Sequence, residues 1–235
     1  MKAIGPPPPP PGYVPSTDGL PQARSRGLGT RLWLVRHAEV AERWHDMAYG
    51  SMDVELSEKG LRDTLEMAAA FEGVSVEGVL SSDLDRARRL GSKIAEATGA
   101  SLVTTPQLRE MNRGAWQGLS KAEFTENWIA EADRYWRDPF RWHTPEGEGD
   151  ERLFARAWPA VEAALEPLEA GQLVVTAHGQ LIRVLISRAL GVSVPESYGY
   201  YLDPAHASCL VDGPTGWTLA ARNLGPHELT PHAQG

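Results

Sequence analysis

The sequence predicts an α/β protein: a three-layer sandwich with a mostly parallel central sheet flanked by helices, plus a helical lid insertion. Three observations carry this. Short, almost continuously apolar runs recur along the chain, they alternate with segments of helical apolar spacing, and the alternation breaks once, in a tryptophan-rich stretch. Strands that are apolar throughout are buried on both faces, and strands separated by helices are joined by crossovers, which makes them parallel.

TRLWLV (30–35) reads as the first strand and VEGVLSS (76–82) as the second, with a short third in SLVTT (101–105) and a long fourth in GQLVVTA (171–177). Helical periodicity covers 57–71, 84–98, 150–168 and 180–190. Ser57 suits an N-cap, with Glu58 and Lys59 in the first turn. ASCLVDG (207–213) and GWTLAARN (216–223) are close enough to form a hairpin at one sheet edge. The stretch 119–149 departs from the alternation; it holds Trp128, Trp136 and Trp142 among acids and arginines, and reads as a helical insertion above the sheet edge. Its tryptophans either pack the insertion onto the body or face a substrate.

The catalytic domain is expected over 30–225, between a proline-rich flexible tail at 1–29 and a C-terminal tail at 226–235. Pro6 to Pro11 are consecutive prolines, which fix φ and remove backbone donors, so an extended polyproline II segment follows. Such a segment is a solvated tether or a ligand for a protein partner with an aromatic groove. The net charge of −8 opposes general affinity for nucleic acid or anionic membranes, so any phosphate must be bound in a local basic pocket. No apolar run has the length of a membrane span and the start has no secretory h-region, so the cytoplasm is the expected location. The single cysteine, Cys209, reads as a small buried hydrophobe.

The chemistry collects at strand ends. Arg36 and His37 follow the first strand, Arg86 follows the second in SSDLDRARR, Glu110 follows the third in LREMNRGAWQG, and His178 with Gly179 follows the fourth. In an open α/β sheet, ligands bind at the carboxyl ends of the strands. Two guanidinium forks can grip the oxygens of a phosphate monoester, neutral imidazole can attack phosphorus, and a carboxyl group can pass a proton to the departing alkoxide. Either histidine alone would read as a structural residue satisfied in the core; the set together points to phosphoryl transfer. Arg88 and Arg89 read as a solvated helix face, and His45, His143 and His206 have no evident partner. Glu123 or Glu148 could replace Glu110 if the insertion folds differently.

These motifs resemble the histidine phosphatase superfamily, which includes the cofactor-dependent phosphoglycerate mutases. Its Arg-His-Gly-Glu opening is matched by Arg36, His37, Ala38 and Glu39, its second-arginine segment by SSDLDRA, its acid by Glu110 ahead of Gly114, and its second histidine by His178. YGSMDVELSEKG (49–60) and PEGEGDERLFARA (145–157) add to the likeness, which runs over 31–223. The resemblance implies that His37 is the nucleophile, Arg36 and Arg86 bind phosphate, His178 stabilises the transferring phosphoryl group and Glu110 is the proton donor. It implies no metal and no cofactor. Arg43, Gly50 and Gly179 join Arg36 and Arg86 as the expected substrate-binding set.

Three departures bear on the substrate. Ala38 replaces the more usual glycine, Arg43 stands where mutases carry asparagine, with His45 and Asp46 close by, and Gly149 replaces a serine that could cap a helix, a task left to Asp150. Arg134, Arg137 and Arg141 are spread along the insertion rather than paired as in the mutases. The expected protein is therefore a phosphomonoesterase of the metal-independent histidine acid phosphatase type, acting on a small phosphorylated metabolite, broad in specificity or similar to alpha-ribazole phosphatases. A phosphoglycerate mutase and a non-catalytic phospho-ligand binding module are the alternatives.

Overall fold

The computed structural model describes residues 5–233; positions 1–4 of the expected N-terminal tail and 234–235 of the C-terminal one lie outside them. In chain order the elements are β1 (Arg31–Arg36), α1 (Glu58–Ala69), β2 (Gly78–Ser82), α2 (Asp85–Thr98), β3 (Leu102–Thr105), α3 (Lys121–Ala130), α4 (Ala132–Arg137), α5 (Asp150–Leu165), β4 (Gln172–Ala177), α6 (Gly179–Leu190), α7 (Val194–Ser197), β5 (Ala207–Gly213), β6 (Gly216–Leu224) and α8 (Pro226–Ala233). One sheet has the order β3-β2-β4-β1-β5-β6. Its first four members in sequence run parallel, and β5 and β6 form the antiparallel edge hairpin.

Alternation along β1 shows why the sheet has two covered faces. Leu32 and Leu34 enter one core with Leu153, Val161 and Leu185 of α5 and α6, while Trp33 and Val35 enter the other with Met67, Leu90 and Ile94 of α1 and α2. Each such side chain contributes roughly 1.5–3 kcal/mol by leaving water. The Ser57 hydroxyl caps α1, accepting the Gly60 N–H at 2.9 Å. Gly149 stands at the cap of α5 without a side chain, and Asp150 does not take over that task. Its carboxylate is spent instead on the buried Arg183 guanidinium, 2.5 Å away.

Both ends of the chain depart from expectation. No helix or strand forms between residues 5 and 29, yet the tail's second half is a strap tied to the body rather than a free tether. Ala23 is buried and donates its N–H to Arg188 O at 3.0 Å. The buried Asp212 carboxylate on β5 accepts the Arg26 and Gly27 N–H groups at 2.9 and 3.0 Å and the Ser25 hydroxyl. A buried carboxylate needs donors, and the strap supplies them. Further out, the Tyr13 ring meets Trp136 edge-on at 4.5 Å. The C-terminal segment folds as α8, because Leu229 is fully buried in the α1–α2 core.

In the insertion, Trp128 and Trp136 are buried in one aromatic cluster with Trp116, Phe124 and Tyr135, and Trp142 packs beside it. These rings pack the insertion onto the body, and Trp128 and Trp142 also line a small cavity beside Arg113 and Tyr198.

Candidate active site

β1 and β4 are parallel neighbours with Arg36 opposite Ala177. The residue after each strand, His37 and His178, therefore emerges at the same edge, and their rings lie 5.1 Å apart at 59°. β2 flanks β4 on its other side with Ser81 opposite Thr176, which brings Ser82 up beside His178. The first turn of α2 then returns Arg86 to the same edge.

His37 is 2 % exposed and its Nδ1 lies 2.7 Å from Ala38 O. A carbonyl oxygen can only accept, so Nδ1 carries the proton and Nε2 keeps its lone pair. Burial, reinforced by the Arg86 and Arg36 charges, holds the His37 pKa well below the ordinary 6.5, so the ring is neutral at neutral pH. His178 is shifted in the same direction, by burial first and then by Arg86, His37 and Arg36. Ala38 leaves this arrangement intact, since its carbonyl holds the His37 ring.

Both arginines are buried against carbonyl groups and aromatic faces. Arg36 donates to Leu202 O at 2.6 Å and lies 4.9 Å from the Tyr201 ring. Arg86 donates to Met52 O at 2.6 Å and Gly50 O at 2.9 Å, and lies 5.3 Å from the Tyr49 ring. Cation–π contact and carbonyl acceptors hold each guanidinium in place without neutralising it. Three nitrogens remain over: Arg36 Nε, Arg86 Nε and His178 Nδ1 are buried with no partner among the described residues. Unpaired buried polar groups are costly, and an anion placed among them would supply the acceptors.

Glu110 completes the set. Its Oε1 accepts the Met111 and Leu181 N–H groups at 2.8 and 3.2 Å and its Oε2 the Gln180 N–H at 3.0 Å, which fixes the carboxyl group at the N-terminus of α6. The other two acids are elsewhere engaged: Glu148 pairs with Arg156 at 2.8 Å, and the exposed Glu123 closes a capping box with Ser120. Arg156 also donates to Arg109 O and Glu110 O, so that pair braces the Glu110 loop.

The expected substrate-binding residues divide. Arg36 lines a cavity of about 200 Å³ together with His37, His45, Tyr49 and Lys121. Gly50 is a support: its carbonyl holds Arg86, and at φ +45° a side chain would collide with Met111 O. Gly179 is where Tyr201 approaches, since a Cβ there would lie 2.5 Å from the phenol oxygen. Arg43 is not in the site. It sits in an exposed 3-10 turn and pairs with Glu55 at 2.7 Å, and His45, two residues on, lines the cavity instead. Reading by residue type selected the stronger cation, and the turn geometry selected the other residue. Tyr49 and Tyr201 had no chemical signal of their own, although Tyr49 opens the YGSMDV segment. Lys121, at the start of α3, is the insertion's contribution to the cavity wall.

An α/β sandwich that gathers two histidines and two buried arginines at its strand ends is built to handle phosphate. The chain belongs to the histidine phosphatase superfamily, whose branch 1 pattern matches residues 32–225. It is 29% identical over 165 residues to a probable phosphoglycerate mutase GpmB of Escherichia fergusonii, covering 69% of this chain and 75% of the relative. It is 28% identical over 176 residues to a 2,3-bisphosphoglycerate-dependent phosphoglycerate mutase of Bartonella tribocorum, covering 72% and 85%. Among solved structures, a mycobacterial glucosyl-3-phosphoglycerate phosphatase superposes with a TM-score of 0.73 at 26% identity, over 83% of this chain and 99% of that one. The alpha-ribazole phosphatase of Shigella flexneri superposes with a TM-score of 0.70 at 22% identity, over 83% and 96%, a likeness of fold.

Proposed function

We propose that the protein is a phosphomonoesterase that hydrolyses a small phosphorylated metabolite through a phosphohistidine on His37. The observation that carries this reading is the group of three buried nitrogens without a partner among the described residues, Arg36 Nε, Arg86 Nε and His178 Nδ1, beside a neutral imidazole. In the first step the His37 Nε2 lone pair forms the N–P bond as the ester P–O bond breaks, and Glu110 gives its proton to the departing oxygen. In the second, water attacks phosphorus and passes a proton to Glu110. The N–P bond breaks, inorganic phosphate leaves and neutral His37 returns. Fixed donors count most where charge spreads over the equatorial oxygens, the part taken by Arg36, Arg86 and His178. None of these steps calls for a metal.

Hydrolysis is favoured over mutase chemistry by the lid's charges. Arg134 pairs with Glu131 at 3.2 Å and Arg141 with Asp138 and Glu151 at 3.0 Å, and with Arg137 they line a groove separate from the His37 cavity. They are not arranged to retain a bisphosphate over the nucleophile. The glucosyl-3-phosphoglycerate phosphatase neighbour supports the same choice.

The test is phosphate release from an aryl phosphate in the presence of a chelator, compared between wild type and His37→Ala, with a denaturing alkaline quench to trap labelled phosphate on His37. Release and trapping by the wild type alone are expected. Equal behaviour of the two proteins would reduce the site to a binding pocket, and bisphosphate-dependent isomerisation of 3-phosphoglycerate would make the protein a mutase.

A further inference from the structure

Ser82 closes β2 and is fully buried, with its hydroxyl 2.9 Å from His178 Nε2. The same oxygen accepts the Leu84 N–H at 3.3 Å as the chain turns into α2. A hydroxyl has one proton and two lone pairs. With one lone pair engaged by Leu84, the proton needs an acceptor, and Nε2 is within reach. If Nε2 accepts, the imidazole proton stands on Nδ1, the buried nitrogen that has no partner among the described residues. The converse arrangement is unfavourable on two counts. It would leave the Ser82 proton without an acceptor, and it would give His178 an unpaired lone pair in a site made of anion-binding donors.

We infer that Ser82 is a positioning residue that sets the tautomer of His178, holding its proton on Nδ1 as a hydrogen-bond donor to the transferring phosphoryl group. This rests on the phosphohistidine reading for its consequence in turnover, but not for the tautomer itself. The device suits a ring that stays neutral. A doubly protonated imidazole would donate from either nitrogen and need no selection, whereas a neutral one donates from a single nitrogen chosen by its neighbour. The backbone secures Ser82 in turn: the Ser81 hydroxyl donates to Ser82 O at 2.8 Å and itself accepts from Thr176 at 2.8 Å, so adjacent strands hold this corner of the site.

The experiment is long-range proton–nitrogen correlation on protein labelled with 15N-histidine, with His178 assigned by comparison with His178→Gln. The wild type should show His178 protonated on Nδ1, and Ser82→Ala should shift it toward the Nε2-protonated form. In the same preparations, Ser82→Ala should lower kcat on an aryl phosphate about 10- to 100-fold with KM changed far less, and Ser82→Cys should recover part of the loss. A His178 ring protonated on Nε2 in the wild type, or a tautomer unchanged in a folded Ser82→Ala, overturns the inference. If the wild type shows no turnover, the proposed hydrolysis fails while the nitrogen spectrum still decides the role of Ser82.

Discussion

The His37 and His178 rings stand 5.1 Å apart because the strands that carry them are parallel neighbours in a register that places Arg36 opposite Ala177. Two side chains 141 positions apart in sequence thereby share one desolvated corner with the Arg36 and Arg86 charges, and both are held neutral.

That neutrality sets a pH dependence of stability. Each ring has a native pKa below the ordinary 6.5, a value the unfolded chain retains. Above that value neither state binds the proton. Below it the unfolded chain takes up protons that the native protein refuses, so stability is lost as pH falls from about 6.5 toward the native pKa, at about 1.4 kcal/mol per unit of depression for each ring. Urea unfolding at about pH 7.5 and about pH 5.5 should show a lower midpoint at the acid value. The double variant His37→Asn/His178→Asn should show a much smaller drop; a drop equal to that of the wild type would place the titrating groups elsewhere.

Arg86→Lys should lower kcat/KM about 100-fold and also reduce stability. The guanidinium fork spans Met52 O and Gly50 O while leaving Nε over for the site. An ammonium is a point donor on a differently shaped stem and cannot hold two carbonyls and an anion in that plane. Steady-state kinetics with a thermal melt checks this. A fully active, fully stable Arg86→Lys would mean that the fork has no role in binding.

The convergence of His37, Arg36, Arg86, Glu110 and His178 is legible in the sequence because each lies at or shortly beyond a strand's end, and parallel register carries those ends to one edge. Arg43 was misplaced because a 3-10 turn at Glu42–Trp44 rotates successive side chains apart, and turn geometry leaves no trace in residue type. Ser82 carries no signal of its own within SSDLDRA, since its partner His178 lies 96 residues away. The two tails were misread for one reason: a short segment without periodicity can still be fixed by a tertiary partner, Asp212 for the strap and the α1–α2 core for Leu229.

Asp212→Ala should loosen the strap. It removes the acceptor for Ser25, Arg26 and Gly27 and leaves their donors to water. The expected loss is about 2–3 kcal/mol, a Tm decrease of roughly 5–10 °C. Deleting residues 1–19, which keeps the strap's anchors, should cost much less. Equal melting of Asp212→Ala and wild type would show that the strap does not contribute to stability.

Substrate choice should respond to His45 and not to Arg43. The Arg43 side chain is 70% exposed and bound to Glu55, so Arg43→Ala should change kcat/KM less than about twofold on any phosphorylated metabolite. His45 faces the cavity that begins at His37, and its Nε2 is occupied by Val40 O at 2.9 Å. Since that carbonyl accepts, Nε2 carries the proton and Nδ1 is left as an acceptor for a hydroxyl on the leaving group. Losing such a contact leaves a substrate polar group unpaired and should cost about 10- to 100-fold for substrates that use it, with little effect on an aryl phosphate that lacks the hydroxyl. Kinetics of His45→Ala across a panel of sugar and glycerate phosphates, beside the aryl phosphate, separates the two cases. A uniform loss across the panel would assign His45 to the support of the His37 loop, and no loss on any member would remove it from the leaving-group wall.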